Sequence, residues 1–480
     1  MDFIRWFKKW FSFFKNDWYS YHSRKARQLG IFDEKWYIKN NQGLVFSQLN
    51  SFMHYVTIGW KEGRDPSPQF NVRIYKKVAQ DYQVGSVCPV IDAIQRIQDG
   101  RLKKEELKKI VCKKRLDNAF KIILSNGISL SGYIKSEIGL GQAARNLVKA
   151  VDSAGIPRSL HDFPLVDRNS DNEYALSLQN ECDRSCNLLI IPIPEMPLHQ
   201  HELRNGIKSI LYPFWELPKI PDFLNSYVRR YDEIWVPSDY IAQMFCDCGR
   251  RTTLVRQPVP IPEISTMESK DSGNLNFLTY YDFDSSIARK NIKAPIIAFQ
   301  RAFPNQHDVS LTIKVRGTNG GQAREWLSME AVNDRRLRII DSTLTRDEVN
   351  RLVLECDAFI SLHRSEGFGF GAAEALAAGK AVIATDYSGT KDFITPETGY
   401  PVEYELVPVK EGEYPHWENQ VWADPRIESA INSLRSIYSD RHGALEKGRK
   451  GRELMRRLYA PEVIGAQIKQ LLIERGIIKI

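Results

Sequence analysis

From residue 117 onward the chain alternates short apolar runs with stretches of helical periodicity, and this rhythm constrains its fold more than any other feature. The first series reads AFKIILSNG (119–127), NLLIIPI (187–193), KSILYPF (208–214), DEIWVPS (232–238) and TLVRQPV (253–259). A second series follows the polar stretch 261–274: LNFLTYYDF (275–283), SLTIKVRG (310–317), LRIID (337–341), DAFISLH (357–363) and AVIATD (381–386). Strands buried on both faces read as near-continuous apolar runs, and strands alternating with helices build parallel sheets. Two such series predict an α/β protein with two Rossmann-like, doubly wound domains, with expected bounds 117–268 and 269–480. Ligands of such sheets bind at the carboxyl ends of the strands.

The preceding residues have another character. Residues 1–30 are expected to hold an amphipathic helix, with Phe3, Phe7, Trp10, Phe11, Phe14 and Trp18 on one face and Arg5, Lys8, Lys9 and Lys15 on the other. Aromatic against basic is the pattern of a helix lying in a membrane interface; the alternative is a helix docked on the protein's own core. Residues 31–116 form a small, mainly helical module with a degenerate repeat. FDEKWYIKN at 32 returns as FNVRIYKKV at 70, EGR at 62–64 returns as DGR at 99–101, and His54 becomes Asp92. The basic stretch 101–116 reads as a solvated linker.

Composition excludes several classes. Hydrophobic residues make up 42% and charged residues 26%, as in soluble globular proteins. No run approaches the ~18–20 apolar residues that span a bilayer, and the N-terminus lacks the uninterrupted apolar core of a secretory signal. The expected place is the cytoplasm, peripheral on the inner face of the cytoplasmic membrane. A net charge of +8 favours anionic partners. Nucleic acid is disfavoured, because the basic residues are dispersed and no recognition motif appears. Seven cysteines, an odd and scattered set, argue against a disulfide framework. Cys182, Cys186, Cys246 and Cys248 lack the usual zinc spacings, and His199 with His201 is an equally weak ligand pair.

Three stretches carry chemistry. In GLGQAARNLVKAV (139–151), Gly139 and Gly141 let backbone N–H groups approach a ligand before a helix expected to start near Gln142, an arrangement that suits phosphate. In DFDSSIARKN (282–291), Asp282 and Asp284 are either metal ligands or turn and cap residues, while Arg289 and Lys290 are placed to neutralise a diphosphate. The second reading is preferred, and no metal is expected. The third stretch, LHRSEGFGFGAAEALAAGK (362–380), places Glu366 in a loop after a strand and Glu374 in the helix that follows. Carboxylates accept hydrogen bonds from adjacent hydroxyls, so each suits one diol-bearing ring. Two rings separated by a diphosphate describe a nucleotide sugar. Gly367, Gly369 and Gly371 bare the backbone between the carboxylates, and His363 and Arg364 add positive charge before them.

The same stretch, SEGFGFGAAEALAAGKAVIAT, resembles the E-x7-E signature of GT-B retaining glycosyltransferases of the family 4 type. The resemblance covers about residues 117–475 and implies the GT-B arrangement, two Rossmann-like domains facing a cleft with the last helix crossing back to the first. GLGQAAR, FWELPKIPDFLNSYVRRYDEIWVPSDYI, ARKN, SLHRSEGFGFG and VWADP are similar to a bacterial subgroup that builds surface polysaccharides from mannose- or rhamnose-type donors, and residues 1–115 resemble a module that often precedes such enzymes. The resemblance implies a nucleotide-diphosphate sugar as co-substrate, no cofactor, and a lipid-linked or oligosaccharide acceptor at the inner membrane, alongside other glycan-assembly enzymes. It implies that Glu366, with backbone at Phe368 and Gly369, meets the donor sugar. Glu374 would hold the ribose, Lys290 and Arg289 the diphosphate, with Gly139 and Gly141 closing over it. Gly367, His363 and Arg364 complete the expected donor set, and Glu216 of FWELP is assigned to the acceptor. Where the family often carries an arginine, this chain reads YYDFD, so Arg289 or Arg364 is expected to substitute. A nucleotide-sugar epimerase, a phosphorolytic enzyme and an inactive glycan-binding subunit remain the alternatives.

Overall fold

The computed structural model describes residues 21–40, 51–60, 64–68, 70, 72, 75, 88–99, 102, 125–163, 165, 173–174, 177–178, 184–204, 206–264, 273–317 and 319–478. The helix expected over 1–19, most of the basic stretch 101–116 and the polar break near 270 lie outside them. The chain forms two units, Met1–Leu124 with Pro197–Glu202, and Ser125–Met196 with Leu203–Ile480.

The first unit is held by aromatic side chains. Helix Glu34–Lys39 is capped by Asp33, whose carboxylate accepts from Trp36 N, and helix Pro89–Gln98 buries Val90, Ile91, Ala93 and Ile94. Phe32, Tyr37, Phe52, Tyr55, Trp60, Phe70 and Tyr75 pack into one cluster. The repeat offset carries Tyr37 to Tyr75 and His54 to Asp92, and each tyrosine reaches its partner. Tyr37 Oη lies 3.0 Å from His54 Nδ1, and Tyr75 Oη donates to Asp92 Oδ2 at 2.7 Å. Histidine and aspartate thus occupy equivalent positions under equivalent rings.

The second unit contains two parallel sheets. In the first, β1 (Ser125–Gly132), β2 (Arg158–Asp162), β3 (Arg184–Pro192), β4 (Lys208–Phe214), β5 (Glu233–Val236) and β6 (Arg251–Leu254) lie in the order β2-β1-β3-β4-β5-β6. The second holds β7 (Leu275–Asp282), β8 (Val309–Arg316), β9 (Leu337–Asp341), β10 (Ala358–Ser361), β11 (Ala381–Thr385) and β12 (Tyr400–Val402), ordered β12-β11-β10-β7-β8-β9. Both are doubly wound, with strand order reversing between β1 and β3 and between β7 and β10, where crevices for ligands open. An antiparallel hairpin, β13 (Tyr404–Pro408) and β14 (Val421–Pro425), follows the second sheet.

Most strands fall where their apolar runs place them, but the short edge strands β2 and β12 match no expected run, and β1 lies later than its run. The run 119–127 suggested an earlier strand, whereas β1 ends at Gly132 on the polar-looking sequence SNGISLSG. Two of its hydroxyls are satisfied inside the sheet. Ser129 Oγ lies 2.7 Å from Ser159 Oγ of β2, and Ser131 Oγ donates to Asn187 Oδ1 of β3 at 2.7 Å. Paired serines survive burial that single ones would not. Strand β6 likewise sits earlier than its run, ending at Leu254 before Pro258 and Pro260, which lack the N–H a ladder needs.

Helix α1 (Gly139–Ser153) follows β1 and starts at Gly139, ahead of the expected Gln142. Gly141 therefore lies inside its first turn, where a Cβ would stand 2.0 Å from Ser136 O and 2.7 Å from Tyr133 O. Its lack of a side chain serves close packing on the preceding loop. The final helix, Pro461–Glu474, packs against α1, with Gly465 against Ala150 O, and Gln467 Nε2 donates to Leu254 O at 2.8 Å.

Candidate functional site

A cavity of about 500 Å³ opens at the carboxyl ends of both sheets, lined from the first by Gly139, Gln142 and Glu216, and from the second by Lys290, Glu366 and Glu374. It lies where the two strand orders reverse. Three connections build its chemistry.

The first connection leaves β7 and forms α2, the single helical turn Ile287–Lys290. Ser286 caps it by accepting Arg289 N, and Asn291 ends it in the left-handed region at φ 52 while its Nδ2 donates to Leu362 O at 3.0 Å. Asparagine tolerates this conformation better than most residues. The turn is thereby fixed to the end of β10, presenting Arg289 and Lys290 to the loop beyond.

That loop runs from Leu362 to α3 (Phe370–Ala377). Its Gly369 holds φ 95, and a Cβ there would stand 2.4 Å from Thr390 Cγ2, so glycine is required both for backbone and for space. Glu366 N donates to Ser388 Oγ at 2.8 Å, and Gly389 N donates to Glu366 O at 2.9 Å. The residue is clamped at its backbone while its side chain enters the cavity. There Glu366 accepts from Lys290 Nζ at 2.5 Å and lies 3.1 Å from Arg289 Nη1. Burial alone would raise its carboxyl; Lys290 and Arg289 outweigh burial and hold it at about 2. Glu366 is therefore a carboxylate at any physiological pH; burial alone would lower the Arg289 guanidinium, but Glu366 and Glu216 outweigh it and keep it firmly protonated.

Arg289 joins this cluster to the first sheet. Its Nη2 lies 3.9 Å from Glu216 Oε1, and Glu216 Oε2 accepts from Tyr414 Oη at 2.5 Å. Tyr414 projects from the loop joining β13 to β14 and stands under the Arg289 guanidinium at 5.9 Å. Glu216, expected at the acceptor, thus adjoins the donor cluster through one shared arginine.

The second carboxylate is also paired. Glu374 lies on α3 and accepts from Arg346 Nη2 at 2.5 Å, where Arg346 opens the helix Arg346–Glu355 behind a Thr345–Glu348 capping box. The third connection is the β8 end: Arg316 Nε donates to Asp282 Oδ2 at 2.9 Å and its Nη1 to Glu137 O at 2.9 Å, tying the second sheet to the loop before α1.

Of the expected donor residues, Glu366, Glu374, Arg289, Lys290, Gly139, Gly367, Phe368 and Gly369 line the cavity. Gly141, His363 and Arg364 do not. Gly141 packs on backbone as described. His363 is buried, with Nδ1 3.0 Å from Ser361 Oγ and Nε2 3.2 Å from Thr390 Oγ1. Arg364 donates to Ala288 O at 2.9 Å and Asp424 Oδ1 at 3.0 Å, with its guanidinium over Trp422, and so cannot substitute for a missing cavity arginine. Asp282 and Asp284 line the cavity but are engaged as turn residues. Asp282 Oδ1 accepts from Asp284 N, and Asp284 Oδ1 from Asn319 N and Nδ2. Among the described residues no group of three or more His, Cys, Asp or Glu is placed to hold a metal ion. Arg346, Lys314, Arg316 and Tyr414 were missed. Lys314 and Arg316 left a legible signal: two charges at spacing 2, closing a strand whose polar residues alternate with apolar ones, put both on one face.

Burial holds the His363 imidazole down at about 4. The unfolded chain therefore binds a proton that the folded one refuses between that value and the ordinary one near 6.5, so stability falls as pH drops through this window. The slope is about 1.4 kcal/mol per pH unit for one proton. Thermal melts from pH 7.5 to 4.5 should show this loss, and His363→Gln should flatten it. An unchanged slope in the variant would assign the acid sensitivity elsewhere.

Residues 287–405 match the family described as Glycosyl transferases group 1, a span that holds Arg289, Lys290, Glu366 and Glu374. No curated protein sequence matches the chain. Among solved structures, HepE of Anabaena in complex with UDP aligns with a TM-score of 0.52 at 12% identity, over 72% of this chain and 100% of that one. The sucrose-phosphate synthase of Thermosynechococcus elongatus aligns with a TM-score of 0.55 at 14% identity, over 73% and 99%. The lipopolysaccharide outer core galactosyltransferase WaaB gives 0.52 at 13% identity, over 72% and 99%. At these identities the likeness shows the fold, which is GT-B.

Proposed function

Residues 287–405 carry a glycosyltransferase domain within a GT-B fold, and we propose that the chain is a retaining glycosyltransferase. It moves a hexosyl or deoxyhexosyl unit of mannose or rhamnose type from a nucleotide-diphosphate sugar to a growing bacterial surface glycan, working against the inner membrane surface. One observation carries the reading: two carboxylates, Glu366 and Glu374, face one cavity, each already hydrogen-bonded to a cation. Sugar or ribose hydroxyls are natural partners for such carboxylates, and a diphosphate for the cations they release. The neighbour HepE, bound to UDP, supports the nucleotide, and WaaB supports the surface glycan.

In this mechanism the bond between the sugar C1 and the diphosphate oxygen breaks, and its electron pair leaves with the diphosphate. Lys290 and Arg289 stabilise that growing charge, aided by the uncapped amino end of α1. Glu366 stays ionised, orients the sugar hydroxyls and supports positive charge at C1. The acceptor hydroxyl attacks from the face the diphosphate leaves and passes it its proton, so no strong base is needed. Glu216, paired with Tyr414, stands on the acceptor side.

The test is donor turnover by the full chain against a panel of nucleotide sugars in excess EDTA. Nucleoside diphosphate release from one donor, undiminished by chelation, is expected. No release from any donor contradicts the reading, and release restored only by manganese or magnesium returns Asp282 and Asp284 to a metal role.

A further inference from the structure

Most cavity cations have a carboxylate partner. Arg289 and Lys290 face Glu366, Arg346 faces Glu374, and Arg316 faces Asp282. Lys314 differs. It lies two residues before the end of β8, lines the cavity, is 8% exposed, and makes no hydrogen bond or ion pair within the described residues. The side chain is largely buried and its nitrogen keeps access only on the cavity side, so an anion from outside the chain is the partner it can take there.

Its surroundings favour the same ligand. Arg316, on the same face of β8, fixes the loop before α1 through Glu137 O, which brings the amino end of that 15-residue helix to this side of the cavity. No side chain caps the helix, and Ile138 and Gly139 line the cavity beside it. An uncapped helix start and a largely buried lysine opening on the same cavity together form a site for phosphate oxygens. Asp282 and Glu137 attract Lys314 without reaching ion-pair distance, and Asp282 is already held by Arg316.

We propose that Lys314 binds the phosphate oxygens of the donor, as a lysine contact supplied by β8 in addition to Lys290 and Arg289. The proposal rests on the nucleotide-sugar reading for the identity of the ligand but not for the existence of an anion site. Burial, then the neighbouring Arg316, lowers the Lys314 amine to about 8, which leaves it mostly protonated near neutral pH and ready for such a contact.

Calorimetry on the full chain tests this with three probes: inorganic pyrophosphate, the nucleoside diphosphate of the best donor, and the matching nucleoside. Lys314→Met should weaken pyrophosphate and diphosphate binding by about tenfold to a hundredfold, the scale of one charged hydrogen bond, and leave the nucleoside unchanged. Lys314→Arg should retain most of the affinity, and thermal melts should show both variants folded. Equal losses for nucleoside and diphosphate would place Lys314 on the base and overturn the proposal, as would no loss at all. If wild type binds pyrophosphate through Lys314 but no nucleoside diphosphate, the anion site stands and the nucleotide-sugar reading falls. Wild type that binds neither contradicts both.

Discussion

Replacing Arg289 by methionine is expected to destabilise the second unit by about 3–5 kcal/mol, the cost of leaving buried charge without its partner. Arg289 is 6% exposed, and its guanidinium is held at four points: Glu366 at 3.1 Å, Ser365 O at 2.9 Å, Ser285 Oγ at 3.1 Å and Glu216 at 3.9 Å. Methionine fills much of the volume but returns none of those contacts. Glu366 would keep only Lys290, and Glu216 only Tyr414. Adding Glu366→Gln should recover a large part of the loss, because the stranded carboxylate is then gone, and that coupling separates electrostatics from packing. Urea denaturation of the two single variants and the double variant measures it. If Arg289→Met matches wild type in stability, the cluster is not held together by charge.

Much of this architecture is legible in the sequence because buried parallel strands announce themselves. Five of the six strands of the second sheet fall almost residue for residue on apolar runs; the three-residue edge strand β12 has no such run. In the first sheet the same rule misplaced β1, whose serines are concealed by pairing across β2 and β3, a tertiary effect invisible to local hydrophobicity. The candidate site divides in a similar way. The spacing of Glu366 and Glu374 across a glycine-rich strand-to-helix loop could be read directly. The ion pairs could not, because Glu366 meets Lys290 across 76 residues and Glu374 meets Arg346 across 28. His363 and Arg364 show the converse. Adjacent to the loop in sequence, they turn into the protein and serve the hairpin and the core.

The second large effect concerns Glu366 itself, and it has two parts with opposite signs. Glu366→Gln keeps the shape and some hydrogen bonding but removes the charge that supports a cationic sugar centre. Donor turnover should fall about 10²- to 10³-fold, the scale of one preorganised electrostatic group. The same change frees Lys290 and Arg289 from the carboxylate that holds them. Nucleoside diphosphate should then bind more tightly, by about fivefold or more for a net gain near 1 kcal/mol. A residue that merely shaped the loop would lower both affinity and turnover, and a residue that merely bound the ground state would lower affinity alone. The decisive measurement is therefore paired: kcat for nucleoside diphosphate release from the best donor, and Kd for that nucleoside diphosphate, in wild type and Glu366→Gln. Tighter binding with turnover reduced at least a hundredfold is the predicted result. Turnover within a few-fold of wild type, or weaker diphosphate binding, would contradict the assignment of this cluster as the donor site.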